Sequence, residues 1–100
     1  MATKVIVLKQ NSREIREKIS DAGIDVCHCA GFFDAVWLDF YPSVGNVHGL
    51  GYPYEGMTKE QTIEFIQYDW NKCGTDVIYC KDVDEFITQI LKYKDGKESE

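Results

Sequence analysis

The 100-residue sequence has no segment fit to be a signal or a membrane span. No basic stretch precedes an apolar run at its N-terminus, and Val5–Leu8 is far too short for either role. A cytoplasmic chain with no membrane partner is expected. Positive charge is also scarce: 11 Lys/Arg stand against 17 Asp/Glu, a net charge of −6. Residues 1–50 contribute −1 of it and residues 51–100 contribute −5. An acidic surface repels phosphate backbones, which argues against nucleic-acid binding, and it favours solubility.

Chemistry-bearing patterns are missing as well. There is no phosphate-cradling loop ending in Lys-Ser/Thr, no dinucleotide glycine fingerprint after the first strand, no nucleophile elbow and no helical H-E-x-x-H. Internal repeats, linkers and low-complexity segments are absent too. Cysteine numbers only four: Cys27, Cys29, Cys73 and Cys80. A chain of this size builds a core without disulfide staples, and most of these thiols lie in apolar strand-like surroundings, where cysteine acts as a small hydrophobe. Reduced, mostly buried thiols are expected, with no cofactor.

What is present reads as a small α/β domain over residues 1–94, followed by a solvated, disordered acidic tail at 95–100. The predicted order is β-α-β-β-β-α-β-α, a mixed sheet with central parallel strands and three packed helices. Lys4–Lys9 (KVIVLK) is apolar on both faces and predicts a central strand. Asn11 or Ser12 starts a helix with Ile15, Ile19 and Ala22 as its buried stripe. On its other face Arg13 is four residues from Glu17, and Glu14 four from Lys18. Gly23 ends it, and Ile24–Cys29 predicts a second strand parallel to the first. Ala35–Tyr41 alternates cleanly: Val36, Leu38 and Phe40 point one way, and Trp37, Asp39 and Tyr41 the other. Asn46–Tyr52 pairs back as a fourth strand. Thr58 and Gln61 have capping-box spacing before a helix striped with Ile63, Ile66, Trp70 and Cys73. Asp76–Lys81 predicts a fifth, central strand beside the first. Asp82 and Glu85 open a last helix with Phe86 and Ile90 at the centre of its stripe.

The segment Phe33–Thr58 breaks this regular alternation, holding both prolines and six of the thirteen aromatics. Val36, Leu38 and Phe40 already supply a core face, so Trp37 and Tyr41 are surplus to it. With Tyr52 and Tyr54 they predict an aromatic contact patch at the sheet edge, unless a second layer covers them. His48 lies in the same segment, and Asp39 would face it across a hairpin.

Cys27-His28-Cys29 offers zinc-type donors, but on a strand the histidine faces away from both thiols, so no metal site is expected. The expected function is a non-catalytic protein-interaction module contacting its partner through Trp37, Tyr41, His48, Tyr52 and Tyr54. A sharper version is an acidic inhibitor of a nucleic-acid-binding protein, with Glu55, Glu60, Glu64 and Asp69 mimicking phosphates. The rival is a small enzyme at the carboxyl edge of the sheet, drawing on Cys29, Cys80, His48 or Asp82 with His28 nearby.

Overall fold

A computed structural model describes residues 3–27 and 35–94. His28 and Cys29 of the predicted second strand, the passage after them and the acidic tail lie outside the described residues. Four strands, β1 (Lys4–Leu8), β2 (Trp37–Phe40), β3 (Val47–Leu50) and β4 (Asp76–Cys80), form one mixed sheet in the order β3-β2-β1-β4. The helices α1 (Arg13–Asp21), α2 (Lys59–Cys73) and α3 (Val83–Lys94) complete the described elements. Strand β1 pairs parallel with β4 and antiparallel with β2, and β2 forms an antiparallel hairpin with β3.

The alternation of β1 and β2 divides the core in two. Ile6, Leu8, Leu38 and Phe40 pack with Ile19 of α1 and with Phe86 and Ile90 of α3. On the opposite face Val5, Val7 and Leu50 pack with Ile63 and Trp70 of α2, and half-buried Trp37 and Tyr41 join them. Helices therefore cover both faces of the sheet. The cover over Trp37 and Tyr41 comes from α2.

Two strand expectations are corrected. Strand β4 does lie beside β1, but at the edge of the sheet rather than its centre. Its apolar residues on both faces report helices above and below, not strands on either side. The predicted second strand is absent from the four-stranded sheet among the described residues. After α1, buried Ile24 enters the core, and Val26 makes an isolated parallel bridge to Val47 at the far edge. That course is parallel to β1 in direction, but two strands away from it.

Local signals explain the helix ends. Ser12 caps α1 by accepting from the Ile15 N–H at 3.1 Å. Asn11 is engaged elsewhere: it donates to the Ala35 carbonyl and accepts from Arg16, each at 2.7 Å. Arg13 pairs with Glu17, but Lys18 reaches Asp84 of α3 at 3.2 Å instead of its predicted neighbour Glu14. Thr58 and Gln61 form the full capping box of α2, and Gly74 closes that helix at φ 75°. Cys73, expected on the buried stripe, lies exposed in the last turn. At α3, Asp82 accepts from the Glu85 N–H, while the Glu85 carboxylate reaches one residue further back, to the Lys81 N–H.

Candidate functional site

Thr62 positions the aromatic loop. Its buried hydroxyl donates to the Thr58 carbonyl and accepts from the Tyr54 N–H, both at 3.0 Å, tying the loop to the first turn of α2. Tyr54 then meets Phe65 edge-on with ring centroids 5.9 Å apart. Phe65 and Tyr68 are neighbours on the helix surface because they are three residues apart. All three rings face solvent, Tyr54 at 46%, Phe65 at 48% and Tyr68 at 62% exposure. They form a ridge over the second core.

The predicted patch residues separate. Trp37 opens β2, an interior strand, and Tyr41 follows directly after it, so the pair does not lie at the sheet edge. Tyr41 accepts a 2.9 Å hydrogen bond from the Trp70 indole, and burial lifts its phenol above the ordinary value. Asp39, Asp69 and Tyr54 also act electrostatically on it. Tyr52 turns to the other face of the sheet. Its ring occupies the space a side chain at Gly49 would need, and Gly49 pairs with Leu38 on the α1/α3 side. Tyr52 therefore shares no face with Trp37.

His48 is half-buried and stands opposite Asp39 in the β2–β3 register, so the two side chains share a face. Asp39 is 6% exposed, and its Oδ1 has no hydrogen-bond partner among the described residues. Burial pushes its carboxyl from 3.8 up to about 7.

Beside the ridge, a groove of about 330 Å³ runs between α2 and the carboxyl end of β1. Val36, Trp37 and Ile63 line it with Lys9 on the sheet side and Glu60, Glu64 and Gln67 on the helix side, so Val36 lies on the α2 side with Trp37 instead of sharing the core face of Leu38 and Phe40. The Lys9 ammonium lies 5.4 Å from the Trp37 ring centre and 4.9 Å from that of Tyr79, a cation–π arrangement. The two rings meet edge-on, and Gln67 donates to the Tyr79 hydroxyl at 3.1 Å. Helix α2 thus splits the acidic residues read as one row. Glu60 and Glu64 flank the groove, whereas Asp69 acts on Tyr41 across the helix.

At the carboxyl edge, Gln10 meets Lys81 through a 3.0 Å bond to its carbonyl. Cys80 is buried, and desolvation, reinforced by Glu85 and Asp82, pushes its thiol up to about 12. Such a thiol is protonated at neutral pH and a poor nucleophile. Asp82 is engaged in capping α3. Cys29 and His28 lie outside the described residues, as does most of the Cys27-His28-Cys29 cluster. No three His, Cys, Asp or Glu side chains among the described residues are grouped to hold a metal ion. No helix among them is long and apolar enough to cross a membrane.

Phe65 and Tyr68 escaped the sequence reading, which followed the buried stripe of α2. The signal was their position off that stripe: large aromatics on a helix face with no layer to cover them. No protein-family model, curated protein or solved structure matches the chain.

Proposed function

We propose that this chain is an intracellular, non-catalytic protein-interaction module that contacts its partner through the Tyr54–Phe65–Tyr68 ridge. The exposure of these three rings in one row carries the reading. Exposed Tyr and Phe are costly to leave in water and supply large contact area with little side-chain entropy to lose. Thr62 holds the loop end of the row, and α2 holds the rest, so the surface is preorganised.

Charge narrows the partner. Glu55 and Lys59 lie in or next to the loop, and Glu64, Asp69 and Lys72 surround the helical part, in a half of the chain that carries −5. An apolar patch rimmed by Lys and Arg is the complementary surface. Nucleic acid does not fit an acidic face of this kind. A phosphate-mimicking role would use Glu60 and Glu64 beside the groove, with the ridge still supplying the larger apolar contact.

The test is affinity capture from the native host with the wild-type chain and with a Phe65→Ala/Tyr68→Ala double variant. Proteins retained by the wild type and lost by a folded double variant support the reading. Equal capture by both would sink it.

A further inference from the structure

The two edges of the sheet differ. The outer edge of β3 is met by Asp25–Cys27: the Cys27 N–H donates to the Val47 carbonyl at 2.6 Å, and the Val47 N–H to the Asp25 carbonyl at 2.9 Å. No strand pairs with the outer edge of β4 among the described residues. Its sequence DVIYC contains no proline or lysine, and its register with β1 runs without a bulge. Those are the usual devices that keep an edge from pairing.

One hydrogen bond fixes which backbone groups are open. The Asp76 N–H donates to the Thr3 carbonyl at 2.7 Å, so Asp76 turns its backbone toward β1. The N–H and C=O of a strand residue point to the same side, and that side reverses at each step. Ile78 and Cys80 therefore also turn to β1, and Val77 and Tyr79 turn outward. The flanking outward residues are already engaged. The Thr75 N–H donates to the Trp70 carbonyl. Lys81 donates to Glu85 and accepts from Gln10. Among the described residues, the open row is the N–H and C=O of Val77 and of Tyr79.

We propose that this edge pairs with the same edge of a second copy of the chain, as an antiparallel β4–β4 junction on a two-fold axis through Ile78. About that axis Val77 faces Tyr79 of the second copy. Both turn their backbone groups outward, so each such pair exchanges hydrogen bonds in both directions. A slip by one residue would set an outward residue against an inward one and lose them. The side chains match in the same register. Tyr79, 43% exposed, lies beside the branched Val77 of the second copy, an aromatic–β-branched pair of the kind that stabilises sheets. The half-buried Ile78 side chains meet on the axis. A partner strand needs outward groups at two positions flanking an inward one, with an aromatic opposite a β-branched residue, and this chain supplies both itself. Each copy carries −6, so the dimer strengthens as salt screens the repulsion.

Size-exclusion chromatography with light scattering over about 10 μM to about 1 mM tests this, because an edge junction is a small interface. The variants are Val77→Pro and Val77→Lys. Proline at an outward-facing edge position removes no internal hydrogen bond, so the first variant keeps its fold. If circular dichroism shows it unfolded, Val77→Lys carries the test. The wild-type mass is expected to climb from 11.5 kDa toward twice that value, with both variants at monomer mass throughout. Hydrogen exchange at the Val77 and Tyr79 amides should slow as concentration rises. A wild type that stays monomeric, folded variants that associate as well as it does, or amides already protected at the lowest concentration would overturn the proposal.

Discussion

Asp39 occupies an interior strand with Val7 on one side and His48 on the other, and it acts electrostatically on Tyr41. Oδ1 has no partner among the described residues, and burial outweighs the hydrogen bond from Asp39's own backbone, so the proton stays on until about pH 7. The consequence for stability has a definite sign. Between the ordinary 3.8 and about 7, the folded chain holds a proton that the unfolded chain has released. Stability therefore falls as pH rises through that window and levels off above it, by on the order of 4 kcal/mol at most. Asp39→Asn keeps the shape and removes the titration. Its melting temperature should match the wild type near pH 4 and exceed it by roughly 5 °C or more at pH 8. Parallel melting curves across that range would show that Asp39 finds a compensating partner. The sequence sets Asp39, an acid, between the aromatics Trp37 and Tyr41 on one face of the strand. What it hid was α2, which lies over that face and dries it.

Elements whose signals are local were legible. The Thr58/Gln61 box and the stripe through Phe86 and Ile90 both depend on neighbours within a few residues, and each is found where the pattern put it. Phe86→Ala should cost about 3–5 kcal/mol in denaturant unfolding, because its ring is fully buried between α3 and the sheet. A loss below ~1 kcal/mol would make α3 peripheral. Long-range placement was not legible. Hydrophobicity on both faces of Asp76–Cys80 is the same for an edge strand under two helices as for a central one. The destination of Val26 depended on where β3 had its free edge, which no spacing within the chain encodes. Within the candidate site, Tyr54 is exposed beside Phe65 instead of joining Trp37. Tyr52 went to the opposite face because Gly49 leaves room for its ring there.

At the scale of the whole molecule, the sheet separates two cores. The face under α1 and α3 buries the larger apolar cluster and anchors the fold. The face under α2 has a smaller core, and beyond it α2 and its loop present Tyr54, Phe65 and Tyr68 to solvent with no described element over them. The central claim is that this outer layer serves recognition and the fold stands without it. The direct measurement is a binding titration of a captured partner against the Phe65→Ala/Tyr68→Ala variant, with unfolding free energy measured on the same samples. The expected result is a drop in affinity of about thirtyfold or more, some 2 kcal/mol, with stability within about 1.5 kcal/mol of wild type. Unchanged affinity, or a variant that no longer folds, would contradict it.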